Sequence, residues 1–427
     1  MVVAILTIII IIVGITLSVT LHEAGHTFTA KAFGVPVSEF MVGFGPTLFS
    51  KKIGETEYGF KPILLGGYSK ILGMFPPTNP NWKDKGPFRN IIKDVRAESA
   101  KSMEGYDSNR AFYWLSTPKK VLVMAGGTLT NLLLGFIFFA LAFCTIGAYQ
   151  PSTTLQSVAQ CLDGSDKCSE SAMTPAAQAG LKKGDEIIEI NGQKMVSWNQ
   201  ISEVVSNSGG KELEIFYRVL NQDQSANNVA AKTTVIRVQS SSIKKAVVKP
   251  VLNNGRYIIG VTSQAVRQPG SLLDAAQITW QAFSGTVSMV TTLPYQTYKA
   301  IESIFTQEKR GGNTVLSLVG VGQIAVDQTT ATNDNLSRIA SLLSLLGSLN
   351  IALFVLNLIP LLPLDGGHVV NSLYEGAKRA IARIRGKKRP APSDLSRSMP
   401  LAYFVYGLLI FCGVALILVD ILNPIKL

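Results

Sequence analysis

Four long apolar runs divide the chain, with polar and glycine-punctuated stretches between them. The first, residues 2–20, is almost wholly Val, Ile, Leu, Ala and Thr. At about 1.5 Å per residue such a helix nearly crosses the hydrocarbon core of a bilayer. No basic segment precedes the run and no small-residue cleavage site follows it, so it predicts a spanning helix rather than a signal peptide. The later runs are residues 121–148, 339–364 and 400–422. The pattern predicts spans over residues 1–32, 119–149, 338–366 and 400–423.

Residues 33–75 change period. Short alternating segments such as Phe40-Met41-Val42 and Glu57-Tyr58-Gly59-Phe60 stand between glycines and predict membrane-associated β-hairpins. An edge of such a sheet either pairs with an extended substrate or serves the fold alone. Residues 76–118 predict a polar cytoplasmic loop with a short helix near 88–103. Residues 150–265 are soluble in composition, with strands expected over 213–219 and 233–238 and a tight turn at Asn191-Gly192. Residues 266–337 predict a connector in which 271–299 is an amphipathic interfacial helix rather than a fifth span. Residues 367–399 predict a basic loop.

Composition agrees with a membrane protein: 427 residues, 47% apolar and 16% charged. The net charge of +12 invites a nucleic-acid reading. No motif for nucleic acid accompanies it, and the basic excess lies in loops beside apolar runs, where it sets membrane orientation. Cys144 and Cys412 fall inside apolar runs. Cys161 and Cys168 lie close together in a polar stretch and predict a short-loop disulfide if that stretch is outside the cytoplasm; the alternative is two free thiols.

The chemistry concentrates where the first run ends, at Leu21-His22-Glu23-Ala24-Gly25-His26. On a helix, residues four apart share a face, so both imidazoles can hold one zinc ion while Glu23 takes a proton from water there. The plain alternative is a polar cap on a helix leaving the membrane. Two of the chain's three histidines lie here, and ionisable groups at a membrane span are by default functional. The third run ends Asn357-Leu358-Ile359-Pro360-Leu361-Leu362-Pro363-Leu364-Asp365-Gly366-Gly367-His368. Asp365 is either a turn residue or a third ligand. His368 reads as structural or as a group behind the ligands, because a catalytic zinc keeps one position open. Asn131, in the second run after Ala125-Gly126-Gly127, either bonds substrate backbone or a neighbouring helix.

Orientation provides a separate check. The basic residues after Asp365 place the end of the third span inside. With four alternating spans, residues 150–265 are then outside, and the first span carries His22, Glu23 and His26 to the same cytoplasmic end as Asp365.

Residues 174–192, Thr-Pro-Ala-Ala-Gln-Ala-Gly-Leu through Ile-Asn-Gly, resemble a PDZ domain of the kind found in membrane proteases. Over nearly its whole length the chain resembles the site-two protease family of intramembrane zinc metalloproteases, in its bacterial RseP-like, actinobacterial branch. The resemblance rests on His-Glu-x-x-His, the β-region, Gly-Gly with Asn131, one PDZ-like block and Asn-x-x-Pro-x-x-x-Leu-Asp-Gly at 357–366; Thr128 stands where the family often has proline. It implies a polytopic α-helical membrane protein with four spans, a membrane-associated β-region and one extracytoplasmic PDZ-like α+β domain. It implies Zn2+ held by His22, His26 and Asp365, with Glu23 as the catalytic acid–base. It puts Asn131, Asn357, Gly66 and Gly67 against substrate backbone. Its implied partners are the lipid bilayer, single-span protein substrates such as anti-sigma factors, and a peptide or substrate segment at the PDZ-like domain. Two other classes compete: a non-catalytic PDZ-bearing membrane scaffold, and a metal transporter, which would need repeated halves that the chain lacks.

Overall fold

The computed structural model describes residues 2–77, 87–162, 165, 172–219, 242–253, 255–306, 315–388 and 390–423. In chain order the elements are α1 (Val2–Ala32), β1 (Val37–Phe44), β2 (Phe49–Ile53), β3 (Thr56–Phe60), β4 (Ile63–Ile71), α2 (Arg89–Ser102) and α3 (Thr117–Ala140), which a π-helical turn, Leu141–Ile146, extends. Next come β5 (Ala148–Val158), α4 (Pro175–Gln178), β6 (Glu186–Ile190), β7 (Gln193–Lys194), α5 (Trp198–Ser206), β8 (Leu213–Arg218), β9 (Ile243–Val248), β10 (Val251–Asn253), β11 (Arg256–Ile258) and β12 (Val261–Gln268). The chain closes with α6 (Leu272–Thr291), α7 (Leu293–Thr306), α8 (Leu318–Thr330), α9 (Asn335–Asn357), α10 (Asp365–Ile384) and α11 (Met399–Leu422). These form two units, Met1–Ile146 with Gly270–Leu427, and Gly147–Pro269.

In the first unit, four helical stretches among the described residues are long and apolar enough to cross a membrane: α1, α3 with its π turn, α9, and residues 395–422 containing α11. Their apolar side chains largely face outward, as Ile5, Val13, Leu133, Phe404 and Phe411 do. Such a surface is costly in water and suited to lipid. Packing between these helices uses small residues where backbones approach. A Cβ on Gly135 would meet Ile351 Cδ1 at 2.6 Å, and one on Gly14 would meet Leu346 Cδ2 at 2.6 Å. A polar pair also joins α1 and α9 inside the bundle: Asn350 Nδ2 donates to Ser18 Oγ at 2.9 Å.

Residues 271–299 form α6 and the start of α7. A capping box between Ser271 and Asp274 starts α6. This helix is not among the four candidate spans. Its Ile278, Ala282 and Phe283 nevertheless pack on Phe139, Ile351 and Phe354, so two of those spans support it.

The β-region is a four-stranded sheet ordered β2-β3-β1-β4. Only β2 and β3 form the expected simple hairpin. Phe40-Met41-Val42 pairs in parallel with Tyr58-Gly59-Phe60, and β4 returns antiparallel on the other side of β1. Alternation along a strand marks its faces but not its neighbours, so this order was not readable from period alone. β4 is an edge strand, and α1 packs against it. Residues 367–399, expected as a basic loop, contain most of α10 and a 3₁₀ turn, Leu395–Ser398.

The second unit is built on a sheet ordered β12-β5-β6-β8-β9, with β7 paired to β6. Its core includes Leu155, Ile187, Ile190, Ile201, Ile215 and Val248. The expected turn between β6 and β7 is present: Asn191 and Gly192 both take positive φ, at 50° and 81°. The α4 helix starts at Thr174, whose side chain accepts from Ala177 N. The strand expected over 233–238 lies outside the described residues.

Candidate metal centre

The His-Glu-x-x-His stretch lies in the continuous helix α1, so His22 and His26 stack one turn apart, with Nε2 atoms 3.2 Å from each other. The third group arrives from far along the chain. After Asn357 the backbone leaves the helix, passes Pro360 and Pro363, and re-enters a helix at Asp365. Glycines make that re-entry possible. A Cβ on Gly366 would strike the carbonyl oxygens of Ile359 and Leu358, and one on Gly367 would lie 2.6 Å from Leu362 N. With hydrogen in those places, the first turn of α10 folds onto residues 358–362 and aims Asp365 at α1.

Asp365 Oδ2 lies 3.3 Å from His22 Nε2 and 3.2 Å from His26 Nε2. The three donor atoms therefore stand at the corners of a nearly equilateral triangle. Two donors each about 2.0–2.1 Å from a tetrahedral zinc ion would be about 3.4 Å apart, so the triangle fits such an ion with its fourth position open. His22 and His26 are buried and Asp365 is half-buried. This His, His, Asp group is the one set among the described residues with the donor geometry for a metal ion. His368 is not part of it.

The surroundings orient these donors. His26 Nδ1 lies 2.8 Å from Val123 O on α3. A carbonyl only accepts, so Nδ1 carries the proton and Nε2 presents a lone pair to the triangle. His22 Nδ1 lies 3.1 Å from the side-chain amide of Asn131, also on α3. Asn131 is 1% exposed, and its Oδ1 has no hydrogen-bond partner. This amide therefore contacts the neighbouring helix α1.

The approach of α3 to α1 depends on the two glycines before Asn131. A Cβ on Gly126 would come within 2.6 Å of Gly25 O, and one on Gly127 would overlap His26 Nε2 and lie 2.9 Å from His22 Cε1.

Glu23 is half-buried, and its Oε2 accepts a 2.7 Å hydrogen bond from Ser69 Oγ on β4. Ser69 gave no signal in the sequence: an isolated serine in a strand is ordinary, and only the seating of β4 on α1 brings it to the glutamate. Gly66 and Gly67 also lie in β4. Gly66 has φ of +148°, and a Cβ on Gly67 would stand 2.6 Å from Met41 O. Gly66 is thus required by its backbone conformation and Gly67 by the close pairing of β4 with β1. Asn357 is the last residue of α9 and half-buried.

A buried ionic cluster holds α10 against α3. Lys120 Nζ donates to Glu375 Oε2 at 2.7 Å, and Arg379 pairs with the other oxygen of the same carboxylate. Lys120 and Glu375 are 3% and 2% exposed. Lys120 is thus an anchor for the helix that carries Asp365, a role its position in a basic stretch did not announce.

Elsewhere, Cys161 is buried and disulfide-bonded, while Cys144 and Cys412 are free thiols. Cys168 lies outside the described residues.

Comparison with known proteins follows the same residues. A model described as peptidase family M50 matches residues 10–389. Zinc metalloprotease Rip1 of Mycobacterium tuberculosis is 26% identical over 438 residues, covering 97% of this chain and 96% of that protein. Rip1 of Mycolicibacterium smegmatis is 27% identical over 433 residues, with the same shares. Metalloprotease MmpA of Caulobacter vibrioides is 26% identical over 378 residues, or 85% of each chain.

Proposed function

The chain belongs to peptidase family M50, the site-two protease family of zinc metalloproteases, and on that premise we propose that it cleaves single-span membrane proteins within or near their transmembrane segment. The observation that carries this reading is the triangle of His22, His26 and Asp365 donors with Glu23 on the same helix, one residue from a ligand. Four helices able to cross a membrane support a bilayer setting.

His22, His26 and Asp365 would hold the zinc ion, which when bound would supply Lewis acidity for peptide hydrolysis. Glu23 takes the proton of the attacking water and returns it to the leaving amine. Ser69 keeps the Glu23 carboxylate in place through its hydroxyl. Asn131 acts behind His22 rather than on the substrate. With its amide turned so that Oδ1 faces Nδ1, the imidazole donates to that oxygen, the orphaned acceptor gains a partner and Nε2 keeps its lone pair for the metal.

The substrate helix must open to expose a peptide bond, because its carbonyls are engaged in its own hydrogen bonds. The outer edge of β4, which pairs with no strand among the described residues, is suited to pairing with the opened strand, and Ser69 brings β4 to Glu23. Gly66 and Gly67 shape this strand, and Asn357 offers an amide where the backbone leaves α9. Anti-sigma factors are the expected substrate class.

We read residues 150–265 as a PDZ-like domain on the extracytoplasmic side, with the catalytic residues near the cytoplasmic face. One of its edge strands, β12, is available for strand addition by a peptide or a substrate segment. The basic residues after Asp365 support this orientation.

The test pairs metal analysis with cleavage of a tagged single-span substrate. Glu23→Gln is expected to retain zinc and lose cleavage. Unchanged turnover would remove Glu23 from the chemistry, and no cleavage by the zinc-loaded native enzyme would favour a PDZ-bearing scaffold instead.

A further inference from the structure

The helix that begins at Asp365 is amphipathic in the opposite sense from a helix in water. At 100° per residue, Val370, Leu373, Tyr374, Ile381 and Ile384 fall on one face. All are exposed, from 47% at Val370 and Ile381 to 84% at Ile384. Ala377 and Ala380 fill the gaps between them, also exposed. The opposite face, which packs on the protein, is polar. There Glu375 meets Lys120 and Arg379, and Asn371 Oδ1 accepts from Ser393 Oγ at 2.8 Å. Polar groups are turned inward and apolar ones outward, so water is the wrong neighbour for the outer face.

Charge identifies the right one. Exposed Lys378, Arg383, Arg385, Lys387 and Lys388 border the apolar face and continue past its end. Lys378 Nζ sits 5.6 Å above the ring of Tyr374, so its charge lies at the margin of the apolar strip. From residue 366 to 388 the only acidic residue is Glu375, which is buried. An apolar strip with a cationic border matches acyl chains below and anionic headgroups above. The strip also continues the surface of a candidate span, since exposed Leu358 and Leu361 bridge the end of α9 to the start of α10.

We propose that the face of α10 formed by Val370, Leu373, Tyr374, Ile381 and Ile384 lies in the interfacial layer of an anionic lipid leaflet, so that the membrane surface sets the depth of Asp365. This rests on the membrane setting of the spans but not on catalysis. A helix too charged to cross the bilayer is held flat on it, and its first residue is carried by the same attachment.

The test uses the full-length chain carrying Cys144→Ser and Cys412→Ser. Leu373→Cys or Ile381→Cys is spin-labelled in phospholipid vesicles, with Lys194→Cys on β7 as a water-exposed control. Zinc content checks that each variant folds. At 373 and 381, collision with oxygen should exceed collision with a water-soluble nickel chelate by about threefold or more, with the reverse at 194. Raising phosphatidylglycerol from zero to about one third should increase the 373 and 381 ratios further, and replacing Lys378, Arg383 and Arg385 with Gln should remove that increase. Nickel access equal to the control would place the face in water and overturn the proposal. Exclusion of both reagents would show it covered by protein, a second copy included, and would overturn it too. Ratios indifferent to phosphatidylglycerol would overturn the assignment to an anionic leaflet.

Discussion

Gly127 lies so close to His26 that one methyl group on its Cα would overlap Nε2, the atom that faces Asp365 and His22. Both residues sit where α1 and α3 touch, and the donor triangle exists only because this position on α3 carries no side chain. Gly127→Ala should therefore cost zinc rather than fold. Zinc affinity, read by competition with a chelator, is expected to fall at least about 100-fold, while the helical circular dichroism of the purified protein is retained. Full zinc occupancy in the alanine variant would show that the imidazoles can move aside.

Asn131 and His22 make a second prediction. Removing the amide in Asn131→Ala leaves His22 Nδ1 without its partner inside the bundle. Loss of such a group behind a metal ligand typically costs about 10–100-fold in affinity. Asn131→Asp keeps an acceptor for the imidazole proton and should bind zinc at least as well as the native chain. If Asn131 instead clamps substrate, the alanine variant will keep its zinc and raise KM.

The hydroxyl of Ser69 touches Glu23 but no donor atom of the triangle. Ser69→Ala is expected to lower kcat by about tenfold, with KM and zinc content unchanged, because a loosened base is less well aimed. Ser69→Thr retains the hydroxyl and should restore most of the rate. A rise in KM with kcat constant would assign Ser69 to substrate binding.

The Lys120–Glu375 pair is buried and shared with Arg379. Lys120→Met leaves the carboxylate with Arg379 alone, so the loss should fall short of the about 3–5 kcal/mol that a wholly uncompensated buried charge costs. The expected result is a lower unfolding midpoint in detergent together with weaker zinc binding, since α10 carries Asp365. A midpoint within error of native would show that packing alone holds α10 in place.

How legible the site was depends on how far apart its parts lie in sequence. His22, Glu23 and His26 were readable because helical spacing places them together without help from the rest of the fold. Asp365 was readable as a candidate because an acid at the end of an apolar run is unusual. Ser69 and Lys120 were not readable: serine in a strand and lysine before a span are common, and each gains its role only from a partner 46 or 255 residues away. Asn131 was visible as an amide in an apolar span, but which neighbour it met depended on the packing of α3 against α1.

The four apolar stretches, the strand-rich segments and the His-Glu-x-x-His face follow from local order along the chain, because burial in lipid, side-chain alternation and helical pitch are properties of neighbouring residues. Tertiary structure decided the strand order β2-β3-β1-β4, the hydroxyl beside Glu23, the amide behind His22 and the ionic anchor of α10. Those contacts join residues brought together only when helices and strands close on one another, at glycines whose missing side chains admit the approach. Local pattern carries no record of which surfaces will meet.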